Sequence, residues 1–278
     1  MTLLKRFLLI VLLPSVVAAQ SPYRLSWKTD GPILGTVGLL GITMFAADKH
    51  LPGFTVEEVN ALSPANVNAF DRPATKNYAP KASDISTALQ YTLFASPFAL
   101  LLDGDVRDDI ATVGAMYFEI LALATMTTQI AKNSVDRPRP LVYNPGVPMS
   151  ERTDPDARRS MFSGHTTFAF ASAVFLSTVY SDYFPGSSWS PYVWVGSLSA
   201  ATAVAILRVT SGEHFPTDVL VGAVVGSGIG YLIPLVHRAG NGGTDSPLPS
   251  VHRVGHGGIE TSLSLSLSSA AVRCTYSF

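Results

Sequence analysis

The sequence predicts an all-α protein: a bundle of about six helices embedded in a membrane, followed by a loose C-terminal tail. Three observations carry this. Residues 31–47, 85–102, 110–131, 163–181, 191–207 and 219–236 form six long segments with almost no charge. Each is near the roughly 17–25 residues needed to span a bilayer. The chain is 47% hydrophobic and only 14% charged, with a mean hydropathy of +0.29. Its polar, chemistry-bearing stretches fall at the ends of those segments rather than within them. The same lengths suit the buried core of a soluble helical domain, where glycines merely loosen a helix. Six such segments in one chain favour the membrane.

In order, residues 1–20 begin with Lys5-Arg6, continue as an apolar run from Phe7 to Val17, and end in Ala18-Ala19. That pattern predicts a secretory signal peptide over residues 1–19, the alternative being an uncleaved anchor helix, for which the apolar run is short. A helical domain then occupies 20–238, with a motif-bearing core at 85–236. Between the first two apolar segments, Pro52-Gly53, Ser63-Pro64 and Asp71-Arg72-Pro73 mark a long connection, with room for a short helix over 56–62. Glu119 interrupts the third segment and should face the bundle interior. The loop 141–161 carries Arg152, Arg158 and Arg159, which could touch a substrate head group but read more simply as a solvated charged loop. Phe184, Trp189, Tyr192 and Trp194 gather at one segment start, as in an interfacial aromatic belt. The last segment holds Gly222, Gly226 and Gly230, a stripe that lets helices approach closely.

After Arg238 the composition changes. Gly240-Asn-Gly-Gly243 opens a linker and tail over 239–278, in which 261–269 alternates Ser and Leu with the period of a strand. His252 and His256 have a helical ligand spacing, but Gly255, Gly257 and Gly258 oppose a helix there, so no metal site is expected. Cys274 is the single cysteine, which excludes an internal disulfide and any Cys-rich metal site. The net charge of −1 offers no electrostatic case for nucleic acid. The sequence carries no signature of an oligomeric state.

The chemistry concentrates in Arg208-Val-Thr-Ser-Gly-Glu-His214-Phe-Pro-Thr-Asp218, between the last two segments. Polar groups between apolar walls are costly unless they serve one another or a ligand. Asp218 would sit in the first turn of the following helix and accept the imidazole N–H of His214, leaving the other nitrogen free as base or nucleophile. Asp218 near a helix start and Arg208 near a helix end also suit the helix dipoles, so this stretch alone reads equally as a capped joint. Two more stretches break the tie. Lys132-Asn-Ser-Val-Asp-Arg-Pro-Arg139-Pro140 closes one apolar segment, and Phe162-Ser163-Gly164-His165 opens the next. Three cations, two histidines and a Ser-Gly turn can then converge on one face of a helical bundle. Guanidinium forks and helix-start N–H groups both bind phosphate oxygens.

These residues resemble the three-part signature of the type 2 phosphatidic acid phosphatase superfamily, which also contains vanadium haloperoxidases and bacterial acid phosphatases. Lys132 and Arg139-Pro140 match its first part. Ser163-Gly164-His165 match the second, with Phe162 where Pro is usual. Arg208, His214 and Asp218 match the third, with Leu207 where Ser is usual. The resemblance implies a phosphatase that needs no metal or other cofactor. Lys132, Arg139, Arg208, Ser163 and Gly164 would bind phosphate. His214 would be the nucleophile, forming a phosphohistidine, with Asp218 orienting it and His165 as acid and base. The implied substrate is a lipid phosphate or diphosphate of a bacterial-type envelope: phosphatidate, phosphatidylglycerol phosphate, an isoprenyl diphosphate or a lipid A phosphate. The implied setting is a multi-pass inner-membrane protein whose site faces the periplasm. A soluble periplasmic acid phosphatase or a vanadate-dependent haloperoxidase would share every site residue. A transporter or scaffold would keep the helices without needing His165, His214 and Asp218. One tension is built in: six crossings after a cleaved signal would put the site in the cytoplasm, unless 31–47 does not cross, residues 1–20 do not export the N-terminus, or the domain is soluble in the periplasm.

Overall fold

The computed structural model describes residues 21–46 and 52–239, with the pairs 263–264 and 273–274. The expected signal peptide and nearly all of the expected tail lie outside the described residues. Within the tail, Leu263–Ser264 (β1) pairs antiparallel with Arg273–Cys274 (β2). All else described is helix and loop. The helices are α1 (Trp27–Ala46), α2 (Val56–Ala61), α3 (Pro80–Ala95), α4 (Gly104–Asp108), α5 (Ile110–Ser134), α6 (Met149–Arg152), α7 (Gly164–Tyr183), α8 (Ser190–Thr210) and α9 (Pro216–His237). A 3₁₀ stretch, Ser96–Leu102, prolongs α3.

The six expected segments are the six long helices, each extended by polar turns that hydropathy does not mark. Helix α3 starts at Pro80 and α9 at Pro216; proline is tolerated there because a first-turn N–H has no intrahelical partner. Helix α2 forms where Thr55 and Glu58 make a reciprocal capping box.

Helix α7 is the axis of the bundle. Ala, Ser and Thr dominate its buried positions, so neighbours can pack against its backbone from several sides. Ser177 is satisfied by the Ala173 carbonyl at 2.8 Å and lies 2.8 Å from Ser197 Oγ. On one side α9 crosses it through the glycine stripe. A Cβ at Gly222 would stand 2.8 Å from the Ser163 carbonyl oxygen, at Gly226 2.2 Å from that of Thr167, and at Gly230 2.5 Å from that of Ala171. No side chain fits there, and the two backbones touch along matched four-residue steps. On the other side Ala169 and Ala173 meet Leu93 of α3 and Ala201 and Val204 of α8. Below, Phe175 and Val179 pack with Met116 and Ile120 of α5.

Among the described residues, four helices are long and apolar enough to cross a membrane: Pro80–Leu102, Ile110–Ser134, Ser190–Thr210 and Pro216–His237. Their outer faces are apolar, with Phe98, Phe118, Ile206 and Val224 all exposed. Such faces are stable against lipid and unfavourable against water, so the protein is a helical membrane protein. Trp189 and Tyr192 are also exposed, 5.7 Å apart, at the start of α8, where a membrane interface would place them.

The long helices set two ends. The α5 and α8 C-termini and the α3, α7 and α9 N-termini share one end. The N-terminal segment docks at the other, where Tyr23 pairs with Arg238 and its hydroxyl donates to Asp182 at 2.6 Å. Helix α1 runs the length between, with Asp30 beside His237 and Gly41 beside Met126. Residue 21 therefore lies at the end opposite Lys132 and Arg208.

Loops 52–79 and 136–163 cap the Lys132 end with a core of their own, built on Phe54, Val59, Leu141, Val142, Val147 and Ala157. Arg158 closes it, 3.9 Å above the Phe54 ring and paired with Glu58 at 2.8 Å and Asp136 at 3.0 Å. Arg152 donates to the Val142 carbonyl, and Arg159 bonds Asn133. This corrects the reading of a solvated charged loop: Arg152 and Arg158 bind the cap to itself and Arg159 ties it to the end of α5, because carbonyl, carboxylate and amide oxygens lie within reach.

Candidate active site

Every residue of the three stretches lies at the capped end. Lys132 ends α5, Arg208 lies in the last turn of α8, Ser163-Gly164-His165 start α7, and Asp218 lies in the first turn of α9. Two features bring the stretches together. Gly212 has a φ of +82° and its Cβ would stand 2.4 Å from the Asn77 carbonyl oxygen, so only glycine fits the turn from Arg208 to His214. The Ser163 N–H donates to the Asp218 carbonyl at 3.2 Å, joining the starts of α7 and α9.

His214 is 1% exposed. Its Nδ1 lies 2.7 Å from the Ser160 carbonyl oxygen and 3.7 Å from Asp218 Oδ2. A carbonyl only accepts, so the hydrogen is on Nδ1 and the lone pair on Nε2. The expected Asp218 contact is corrected here, because a backbone carbonyl takes the N–H the carboxylate was expected to hold. Asp218 acts one group away. Its Oδ2 accepts from Ser160 Oγ at 2.5 Å and from the Phe215 N–H at 2.9 Å, while Oδ1 pairs with Arg137. Burial first, then the charges of Arg139, Arg208 and Lys132, hold the His214 imidazole well below the usual histidine range. It is therefore neutral at pH 7 and carries a free lone pair.

The same three cations act on His165, so both histidines share one cationic pocket. His165 Nε2 lies 3.1 Å from Thr87 Oγ1, and Thr87 gives its own hydrogen to the Ser83 carbonyl at 3.0 Å. Thr87 thus accepts from His165, which leaves the Nδ1 lone pair free in the neutral ring. Ser163 Oγ accepts from the Thr166 N–H and hydroxyl at 3.4 and 3.0 Å, so its hydrogen remains to donate. Gly164 packs against Thr128 with 3.2 Å for a Cβ. Arg208 is held by Ser83 Oγ at 2.8 Å, with its buried Nε bonding nothing among the described residues.

Four groups lie outside the residues singled out from sequence. Glu213 pairs with Arg139 and lies 3.2 Å from Arg208 Nη2; its carboxylate bridges the two guanidinium groups as a phosphoryl group would. Asp156 pairs with the other face of Arg139 and takes its Nε–H through a backbone carbonyl at 3.0 Å. Arg137 bridges Asp218 to the buried Asp71, 2.7 Å away, and lies 4.5 Å from the Phe215 ring. Asp71 in turn accepts from the Thr217 N–H and hydroxyl at 3.0 and 2.7 Å. Only adjacency hinted at these: Glu213 precedes His214, and Arg137 lies within the Lys132–Pro140 stretch.

The site is thus a buried histidine at one end of a helical membrane bundle, close enough to Lys132, Arg139 and Arg208 for their charges to act on it. The sequence model of the PAP2 superfamily matches residues 114–241, so that stretch is similar to this superfamily. It is 30% identical over 131 residues to the probable diacylglycerol pyrophosphate phosphatase 1 of Schizosaccharomyces pombe, covering 39% of this chain and 47% of that one. It is 37% identical over 81 residues to the lipid A 1-phosphatase of Porphyromonas gingivalis, covering 29% of this chain and 17% of that one. The chain thus spans less than half the length of these curated relatives. A crystal structure of the transmembrane PAP2 type phosphatidylglycerolphosphate phosphatase from Bacillus subtilis aligns with 76% of this chain and 96% of its own, at 22% identity and a TM-score of 0.42. Aquifex aeolicus LpxE aligns with 59% of this chain and 92% of its own, at 24% identity and a TM-score of 0.42.

Proposed function

We propose that this protein is a metal-independent phosphatase that hydrolyses a lipid phosphate or diphosphate through a phosphohistidine. The observation that carries the proposal is the neutral His214, its Nε2 lone pair free, beneath Lys132, Arg139 and Arg208 at the end of an apolar bundle. The relatives named for diacylglycerol pyrophosphate and lipid A support the substrate class.

The three cations and the Ser163 hydroxyl hold the phosphoryl oxygens, and the Gly164 N–H adds the positive end of α7. They stabilise charge as it spreads over the equatorial oxygens. His214 Nε2 attacks phosphorus as the bond to the lipid oxygen breaks. Asp218, 3.7 Å from Nδ1, stabilises the cationic ring that forms. His165, which takes up a proton when the bound phosphate's negative charge offsets the three cations, gives that proton to the leaving alkoxide. Neutral afterwards, it takes a proton from water at Nδ1. The hydroxide equivalent attacks phosphorus, the N–P bond breaks, and phosphate leaves.

The site faces the periplasm in this reading, with Arg24 before α1 and Lys28 in its first turn on the cytoplasmic side. Because α1 separates residue 21 from the site, a cleaved export signal and an outward-facing site exclude one another. The reading therefore makes residues 1–19 a segment that does not export the N-terminus.

The test is phosphate release by protein purified in detergent, screened across phosphatidate, phosphatidylglycerol phosphate, an isoprenyl diphosphate and a lipid A phosphate. Turnover of at least one, abolished in His214→Ala with folding intact and retained in EDTA, is the expected result. Near-wild-type release by His214→Ala would remove His214 as nucleophile.

A further inference from the structure

At the end of the bundle opposite His214, three ligand-type side chains meet that the proposed reaction does not use. Asp30 lies in the first turn of α1, Glu119 in α5, and His237 ends α9. One ligand atom from each lies within 4.8 Å of the others. From Lys132 to Glu119 is about 20 Å along α5, at roughly 1.5 Å per residue.

The hydrogen-bond pattern leaves this cluster incomplete. His237 Nδ1 lies 2.8 Å from the Ile233 carbonyl, which fixes a hydrogen on Nδ1. Nε2 then faces two carboxylates, 2.9 Å from Asp30 Oδ1 and 3.5 Å from Glu119 Oε2. Three electron-pair donors pointing at one another require a shared proton or a cation between them. A proton on Nε2 would give one good hydrogen bond, to Asp30. Glu119 Oε2 would stay without one, as it is here, in a residue only 3% exposed.

A metal ion satisfies all three at once. With bonds of about 2.1 Å, a tetrahedral ion holds its ligand atoms about 3.4 Å apart, close to the spacing of Nε2 and Oε2. One imidazole and two carboxylates suit a borderline divalent ion and leave one position for water. A cavity of about 380 Å³ opens beside Asp30 and Glu119, lined by Ser26, Trp27 and Phe118 among others. Helix α1 gives the ion a purpose: none of its described side chains is buried, so packing alone holds it loosely to α5.

We propose that Asp30, Glu119 and His237 form a binding site for a divalent transition-metal cation of the zinc class, which fastens α1 to α5 and α9. The ion is structural and remote from the phosphate pocket, so its test does not depend on the proposed activity. Full-length protein in detergent is stripped with chelator, dialysed, and titrated with Zn²⁺ by calorimetry and thermal unfolding. One equivalent should bind and the melting temperature should rise. Glu119→Gln, which keeps side-chain shape, and Asp30→Asn should each weaken binding at least tenfold and remove the thermal shift. Phosphate release at a permissive temperature should be the same with and without zinc. Absence of saturable one-to-one binding, or equal binding by both variants, would show a proton-mediated cluster and overturn the proposal. His237→Ala serves only as a third variant, since it also removes the Ile233 contact.

Discussion

His214 gives its Nδ1–H to the backbone carbonyl of Ser160 at 2.7 Å, while the Asp218 carboxylate stays 3.7 Å away. The tautomer is therefore set by the main chain. Asp218→Asn should keep Nε2 as the free nitrogen. Where an aspartate itself fixes the tautomer, its loss as Asn costs about 10⁴ in kcat. Here the fall should be about tenfold to a hundredfold, reflecting lost charge beside the cationic ring. Steady-state kinetics on a soluble phosphate ester would measure it, and a 10⁴-fold loss would return the orienting role to Asp218.

Glu213 occupies the space between Arg139 and Arg208 where a phosphoryl group would sit. An incoming anion must displace it. Glu213→Gln should lower KM and the inhibition constants of phosphate and vanadate by several-fold, with kcat little changed. Unchanged or weaker vanadate inhibition would mean that Glu213 orients the arginines rather than competing for them.

Arg139 and Arg208 present planar forks to that space, whereas Lys132 supplies a point charge. Arg139→Lys and Arg208→Lys should each lower kcat by roughly a hundredfold, about 3 kcal/mol for one transition-state donor. Lys132→Arg should be milder. If both arginine variants changed only KM, these groups would contribute uniform binding.

Stability should depend on pH through His214. The unfolded histidine titrates near about 6.5, whereas the buried one titrates well below that. Between the two values the unfolded chain holds a proton that the native chain does not, so unfolding free energy rises with pH. The contribution is complete above about pH 6.5 and is lost as pH falls below it. Relative to His214→Gln, the wild type should lose melting temperature on acidification. A constant difference between the two across this range would contradict the buried neutral state.

The glycine stripe offers an internally controlled test. A Cβ at Gly226 would collide with the Thr167 carbonyl at 2.2 Å, whereas nothing lies within 4 Å at Gly228. Gly226→Ala should lower the melting temperature and, through α7, activity. Gly228→Ala should be neutral or stabilising, by up to about 1 kcal/mol of helix propensity.

The six long helices were legible in the sequence because apolar runs of membrane length have no other stable arrangement in lipid. Lys132, Arg139, His165, Arg208 and His214 were legible because charged and titratable groups at the ends of such runs are costly without a use. The Gly222–Gly226–Gly230 stripe was legible by period alone. What surrounds these residues was not. That Ser160 rather than Asp218 receives the His214 N–H, that Glu213 sits between two arginines, and that Arg137 joins Asp71 to Asp218 across 66 and 81 positions are outcomes of packing. So is the meeting of Asp30, Glu119 and His237, whose sequence neighbourhoods share no pattern. Hydrogen bonds depend on distances of a few tenths of an ångström. Those distances are set by how α7 and α9 close on one another and how the loops fold over their ends. Sequence periodicity specifies which face of a helix turns inward, but which partner waits there is decided only when the chain is folded.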